Sequence, residues 1–167
     1  MPLLVHTARL TYGGPDRFDI TWKSSDADGK RFSPSGKLLG FGVAMRDSGK
    51  RKREEALRAR DTATQRQRIS DVEAFEEWSW LAYRTRYEEA MRIFYKNDRA
   101  RWEKLLARRR VVLVCYCTDC NRCHRRVLAD ILVKLGAIDG GELPPEEQRR
   151  VAHKPVSGRL FSEKEVP

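Results

Sequence analysis

VVLVCYCTDCNRCHRRVLADILVKLGA, residues 111–137, is the stretch on which the fold turns. It opens on Val111, Val112, Leu113 and Val114, an apolar, mostly β-branched run suited to a strand buried on both faces. All four cysteines of the chain, Cys115, Cys117, Cys120 and Cys123, fall in the next nine residues, followed at once by His124, Arg125 and Arg126. Val127, Leu128, Ile131, Leu132 and Leu135 then recur at helical spacing, and Gly136 stands where a helix stops. The order is strand, short polar turn, helix, with the reactive side chains gathered at the turn.

Working outward from that unit, 167 residues suffice for one globular domain with a real core. Charged residues make up 35% of the chain, so much of it must be solvated surface. No run of about 18 apolar residues exists, which predicts no membrane span. The start, MPLLVHTARL, lacks the basic flank of a secretion signal, and a cytoplasmic location is expected. In a reducing compartment, clustered cysteines are ligands or reactive thiols more often than disulfides. The net charge of +10 is uneven: residues 46–68 hold nine basic and four acidic residues, and residues 99–110 hold six basic residues against Glu103. Such a distribution fits either a solvated, ion-paired helix face or a surface that attracts phosphate.

Residues 3–10 read as a first strand and 18–22, FDITW, as a second with Phe18, Ile20 and Trp22 on one face. Between them, Tyr12-Gly13-Gly14-Pro15-Asp16 is a turn. Residues 24–30 read as a loop. Ser33-Pro34-Ser35-Gly36 opens a helix carrying Leu38, Leu39, Phe41, Val43 and Met45, which Gly40 and Gly42 weaken. Residues 46–70 have almost no apolar stripe, and are expected to be a basic helical or partly ordered insertion. Ser70-Asp71-Val72-Glu73 fits a capping box for an aromatic-rich helix running through Trp78, Trp80, Leu81, Tyr83, Tyr87 and Met91. Asn97-Asp98 interrupts it before Trp102, Leu105 and Leu106 resume the pattern. Residues 138–142 read as a turn or very short strand. The domain is expected to end at residue 143, with an irregular tail over 144–167.

The cysteine turn admits three readings. Cys117-x-x-Cys120-x-x-Cys123 resembles the start of a cluster-binding run, and Cys115 or His124 could complete four ligands for zinc or an iron–sulfur cluster, with Cys117, Cys120, Cys123 and His124 the alternative ligand set. A reactive thiol is the second reading: at a helix start the unpaired backbone N–H groups favour an anion at Cys123, with His124 as base or proton donor and Arg125 as an anion clamp. The third is structural, since buried cysteines pack as small hydrophobes, Cys115 above all.

The segments Leu113-Val114-Cys115-Tyr116-Cys117 and Cys123-His124-Arg125-Arg126-Val127-Leu128-Ala129 resemble the C-terminal hallmark of the domain-of-unknown-function 488 (DUF488) family. Gly14–Thr21, Ser33–Ser35 and Gly141-Glu142 are similar to segments expected in phage and prophage relatives. The resemblance implies a small Rossmann-like α/β domain in a bacterial or phage setting, and it brings no established reaction. Cys120 and the basic middle look like departures from the pattern.

The expectation is therefore a three-layer, Rossmann-like α/β domain with a mostly parallel sheet, its first and third strands adjacent and central. Ligands in such sheets bind outside the carboxyl ends of the strands. That predicts a site with Cys123 and His124 as chemical groups and Arg125, Cys117, Arg9, Tyr12, Asp19, Thr21, Ser33 and Ser35 as substrate-binding groups. Their chemistry suits a nucleotide, nucleoside or nucleic-acid base, with no cofactor preferred. The alternative is a metal-stabilised module that binds nucleic acid through its basic middle.

Overall fold

The computed structural model describes residues 1–152. Four strands, β1 (Leu4–Arg9), β2 (Arg17–Asp19), β3 (Arg110–Cys115) and β4 (Ile138–Glu142), form one all-parallel sheet in the order β2-β3-β1-β4. Six helices accompany it: α1 (Ala27–Lys30), α2 (Gly36–Leu57), α3 (Thr62–Asn97), α4 (Arg99–Leu106), α5 (His124–Lys134) and α6 (Pro145–Ala152). The expected α/β class and the central β1–β3 pair are both observed. Parallel strands need long crossovers, and here α1 to α4 link β2 to β3 while α5 links β3 to β4.

The apolar run of β3 is buried on both faces, as its composition requires. Val111 and Leu113 enter the larger core with Leu3, Val5, Phe18, Tyr87, Trp102, Val127, Leu128 and Leu132. Val112 and Val114 turn to a smaller cluster with Ala8, Tyr12 and Leu143. By the same alternation, Cys115 points to the side on which α5 lies. Phe32, Phe94 and Trp102 meet edge-on or tilted, with ring centroids 5.0–5.8 Å apart, and close the core beneath α3 and α4. At the end of α5 the chain turns through Gly136, whose φ of 101° no β-carbon would tolerate cheaply.

Several local expectations are corrected. Strand β2 is three residues long, and Trp22 lies beyond it with 47% of its surface exposed, so it leaves the face it was expected to share with Phe18 and Ile20. Residues 24–30 are not all loop: Asp26 accepts from the backbone N–H groups of Asp28 and Gly29 and caps α1. Of the two readings of the basic middle, helical or partly ordered, the helical one is observed. The segment is the outer half of an antiparallel hairpin made by α2 and α3, joined through residues 58–61. Asp61, not Ser70, caps α3, accepting from Thr64 N–H at 2.8 Å, because residues 62–70 continue the helix without a break.

Glycine explains how a hairpin with so few apolar residues holds together. A β-carbon at Gly42 would lie 3.0 Å from the ring of Tyr83, and one at Gly49 would lie 3.2 Å from Glu76 Cγ. Gly42 and Gly49 weaken α2 by propensity yet let α3 approach it closely, whereas Gly40 faces open space. Along α3, the buried stripe is Ser79, Tyr83, Tyr87 and Met91, four residues apart, while Trp78 and Leu81 face outward. The capping residue Asp98 separates α3 from α4 where the interruption was expected. Residues 138–142 form a true edge strand, and Leu135 at the end of α5 is exposed rather than packed. The segment expected as a tail begins with α6; residues 153–167 lie outside the described residues.

Candidate functional site

A cleft of about 950 Å³ opens where the carboxyl ends of β2 and β3 meet the root of the α2–α3 hairpin. Its floor is the cysteine turn, contributing Cys115, Cys117, Cys123 and His124. Thr21, Trp22 and Lys23 come from the segment after β2, and Gly42, Val43, Arg46 and Lys50 from α2. Helix α3 supplies Glu76, Ser79, Trp80 and Tyr83. Placement outside the carboxyl ends of parallel strands is the general rule for such sheets.

Three sulfurs and one imidazole converge there. Cys115 Sγ lies 3.7 Å from Cys117 Sγ and 3.8 Å from His124 Nδ1. The potential ligand atoms of Cys115, Cys123 and His124 all lie within 4.8 Å of one another. His124 Nε2 sits 3.1 Å from the carbonyl oxygen of Ile20. A carbonyl can only accept, so in the neutral ring Nε2 carries the proton and Nδ1 turns its lone pair toward the sulfurs. Burial holds the His124 pKa below the usual imidazole range, and the tilted ring of Tyr87, 5.7 Å away, covers one side.

The sulfurs are not equivalent. Cys117 is half-buried and reaches the cleft; hydrogen bonds from Cys115 and Cys123, with the positive charge of Arg125 behind the turn, hold its thiol well below the ordinary value. Cys115 is pushed up, first by its hydrogen bond to Cys117. Cys123 is pushed up too, first by its hydrogen bonds to Cys115 and Cys117 and then by burial. The three thiols titrate as one group, and negative charge in it is favoured on Cys117, the half-buried member, over the buried Cys115 and Cys123. Cys123 is the N-cap of α5, 1% exposed and making no side-chain cap bond.

Of the residues the sequence nominated, the cleft collects Cys117, Cys123, His124 and Thr21. Arg125 is no open clamp. Its side chain is 0% exposed, Nη1 donates to the Cys117 carbonyl at 2.7 Å, and Nη2 donates to Glu142 Oε1 at 2.9 Å. It holds the turn in shape from behind. Cys120 also leaves the cluster, its Sγ lying 3.2 Å from Thr7 Oγ1, while both residues offered to complete the ligand set, Cys115 and His124, stand together with Cys123. Tyr12 donates its hydroxyl to Asp16 and packs in the smaller core; burial raises its pKa to about 12, and its ring is not offered for stacking. Asp19 accepts from Arg17 and from the backbone N–H of Thr21, shaping the strand end. Ser33 donates to the Lys30 carbonyl, Ser35 caps α2, and the backbone N–H of Arg9 is bound to Gln148. The site lies at β2–β3 rather than β1–β3, which is why the residues after β1 miss it.

The sequence reading missed the cleft walls. Trp22, Trp80 and Tyr116 looked like core or strand positions, Arg122 like surface charge, and Arg46 and Lys50 like part of a basic middle with no link to the cysteine turn. Arg122 donates to Glu77 at 3.0 Å and so ties the cysteine turn to α3. Ser79 is buried with its Oγ unpartnered beside the cleft. No local pattern marks any of these, because two separate helices and a loop bring them together.

A family model described as the active DUF488-N3 subclade matches residues 35–136, from the cap of α2 to the end of α5. The chain belongs to the DUF488 family. The matched span runs across the basic hairpin as well as the cysteine turn, and leaves β1 and β2 outside it. No curated protein and no solved structure matches the chain.

Proposed function

We propose that this DUF488 chain is a thiol-dependent enzyme acting on a nucleotide, nucleoside or nucleic-acid base held in the cleft. The observation that carries the reading is the pairing of Cys117, on the cleft floor, with a rim that alternates rings and cations. Trp22, Tyr116 and Trp80 offer faces on which a base can stack, while Lys23, Arg46 and Lys50 offer charge to phosphate. Cys117 is the nucleophile in this proposal, and Cys123, named first by the sequence, becomes a donor to it. His124 is a positioning residue, anchored through Nε2 on the Ile20 carbonyl and packed against the sulfurs. A cytoplasmic setting in a bacterium or phage host, which the family resemblance implies, is part of the same proposal, since a reducing compartment keeps the thiols free.

Alkylation tests it. Iodoacetamide at pH 6.5 should modify Cys117 well ahead of the other cysteines, as read by peptide mass spectrometry, and a nucleotide or nucleoside from a broad panel should slow that reaction. Cys117→Ser should remove the fast-reacting site while the far-ultraviolet circular dichroism stays unchanged. Equal labelling of all four cysteines, or no protection by any member of the panel, would sink the reading.

One observation favours a second reading, a metal-stabilised nucleic-acid-binding module. The ligand atoms of Cys115, Cys123 and His124 lie within 4.8 Å of one another, and the Nε2 proton on the Ile20 carbonyl is the support a metal-bound imidazole commonly has. Cys117 would be the fourth donor of a Cys₃His zinc site. Stoichiometric zinc or iron in the purified protein, with cysteines protected from alkylation until a chelator is added, would favour it over the first.

A further inference from the structure

The α2–α3 hairpin projects its most basic portion away from the sheet, and little in the chain neutralises it. Among the described residues, Arg46, Lys50, Arg58, Arg60, Arg66 and Arg68 make no ion pair, and all six are exposed. Arg53 alone in this portion is paired, with Glu76 at 2.9 Å. Half of the chain's net charge of +10 resides in residues 46–68. Carboxylates stand at four-residue spacing along α2, Asp47 to Arg51, Lys50 to Glu54 and Glu54 to Arg58, but among the described residues none of them closes an ion pair as Arg84–Glu88 and Arg99–Glu103 do elsewhere, and nine basic residues outnumber four acidic ones over residues 46–68.

The charge is also continuous with the cleft. Arg46 and Lys50, one turn apart on α2, line its mouth. From Arg46 to Arg58 the helix rises roughly 18 Å, and exposed Arg46, Lys50, Arg51, Lys52 and Arg58 mark its length from the cleft to the hairpin tip, outnumbering Asp47, Glu54 and Glu55 among them. Beside the floor, Trp22 and Tyr116 expose 47% and 65% of their surfaces. Unpaired cations in a track that leads to exposed rings are complementary to a polyanion with free bases. A duplex fits less well, since its bases are already stacked and must be extruded to reach Cys117.

We infer that the hairpin is a binding arm for single-stranded nucleic acid, whose backbone follows α2 and whose end or looped base enters the cysteine cleft. The inference rests on the proposed function for what happens in the cleft and adds that the substrate is a strand rather than a free nucleotide.

Fluorescence anisotropy of the full chain with a labelled 20-nucleotide single strand tests it, against the same sequence as duplex. The single strand should bind at least tenfold tighter and should protect Cys117 from iodoacetamide. Its affinity should fall steeply with salt. In the triple variant Arg58→Glu, Arg60→Glu, Arg66→Glu, all at exposed unpaired positions, affinity should drop at least tenfold. The log–log salt slope should shrink by about 2, at roughly 0.7 for each phosphate that is no longer neutralised. Wild-type affinity in the triple variant overturns the inference, as does equal binding of duplex, or displacement of the strand by equimolar poly-glutamate, which would identify an acidic protein as the occupant. The two readings fail separately: protection of Cys117 by a mononucleotide with no strand binding removes the arm and leaves the cleft's proposed role standing.

Discussion

Arg125 and Arg60 carry the same guanidinium, and the molecule treats them in opposite ways. Arg125 is wholly enclosed, donating to the Cys117 carbonyl and to Glu142, with its Nε left unpartnered in the interior. Arg60 stands in the loop of the hairpin, exposed and unpaired. A buried cation must be partnered because water no longer solvates it, so Arg125 constrains the backbone around it. An exposed cation imposes nothing on the fold and is free to meet an anion from outside. The comparison separates two uses of charge in one basic chain: in the cysteine turn it sets geometry, and in the hairpin it remains available. A motif that places Arg directly after Cys and His invites the wrong assignment, because adjacency in sequence says nothing of which side chain is enclosed.

The comparison can be broken most directly by truncation. Arg125→Ala should cost about 3–5 kcal/mol, since it strands buried carbonyls and leaves a cavity behind the turn. Arg60→Ala should stay within about 0.5 kcal/mol. Urea denaturation of both variants checks it, and equal small effects would mean that Arg125 does not organise the turn.

Acid sharpens the same contrast. The His124 pKa is lowered by burial, so below about pH 6.5 the unfolded chain takes up a proton that the folded ring, wedged between Ile20, Tyr87 and the sulfurs, refuses. The unfolded state then binds more protons, and stability must fall as pH drops through that window. His124→Gln should flatten this part of the stability profile. The hairpin charges, which are arginines and lysines, should leave no signature there.

The smallest expected effect concerns the hairpin's own packing. Gly42→Ala presses a β-carbon against the Tyr83 ring at 3.0 Å, a strain of about 1–3 kcal/mol offset by about 1 kcal/mol of helix propensity. A net loss of about 1 kcal/mol in thermal unfolding is expected; stabilisation would show that α2 and α3 pack more loosely than the close approach implies.

The elements were legible to the extent that their signals were local. Val111–Val114 declared a buried strand, Gly136 a helix end and Asp98 a break, each through a pattern spanning a few residues. The length of α2 was obscured because its glycines count against a helix until Tyr83 is known to lie over one of them. The start of α3 was obscured because Ser70 and Glu73 mimic a cap inside a helix that Asp61 had already begun. The site was half legible: Cys117, Cys123, His124 and Thr21 were named, while Trp22, Trp80, Tyr116, Arg46 and Lys50 were not, since only packing assembles them.

The sequence by itself determined a strand–turn–helix unit with the chain's thiols at the turn, parallel pairing of β1 with β3, and a family. Periods of two and near four, the apolar run and the clustered cysteines are short-range properties, and short-range properties survive in one dimension. Tertiary structure alone decided which sulfur faces the cleft, that Cys120 turns away to Thr7, and that Arg125 is enclosed. Those outcomes hang on contacts such as His124 to Ile20, 104 residues apart in the chain, and burial, which sets each group's charge and reach, exists only after such contacts form.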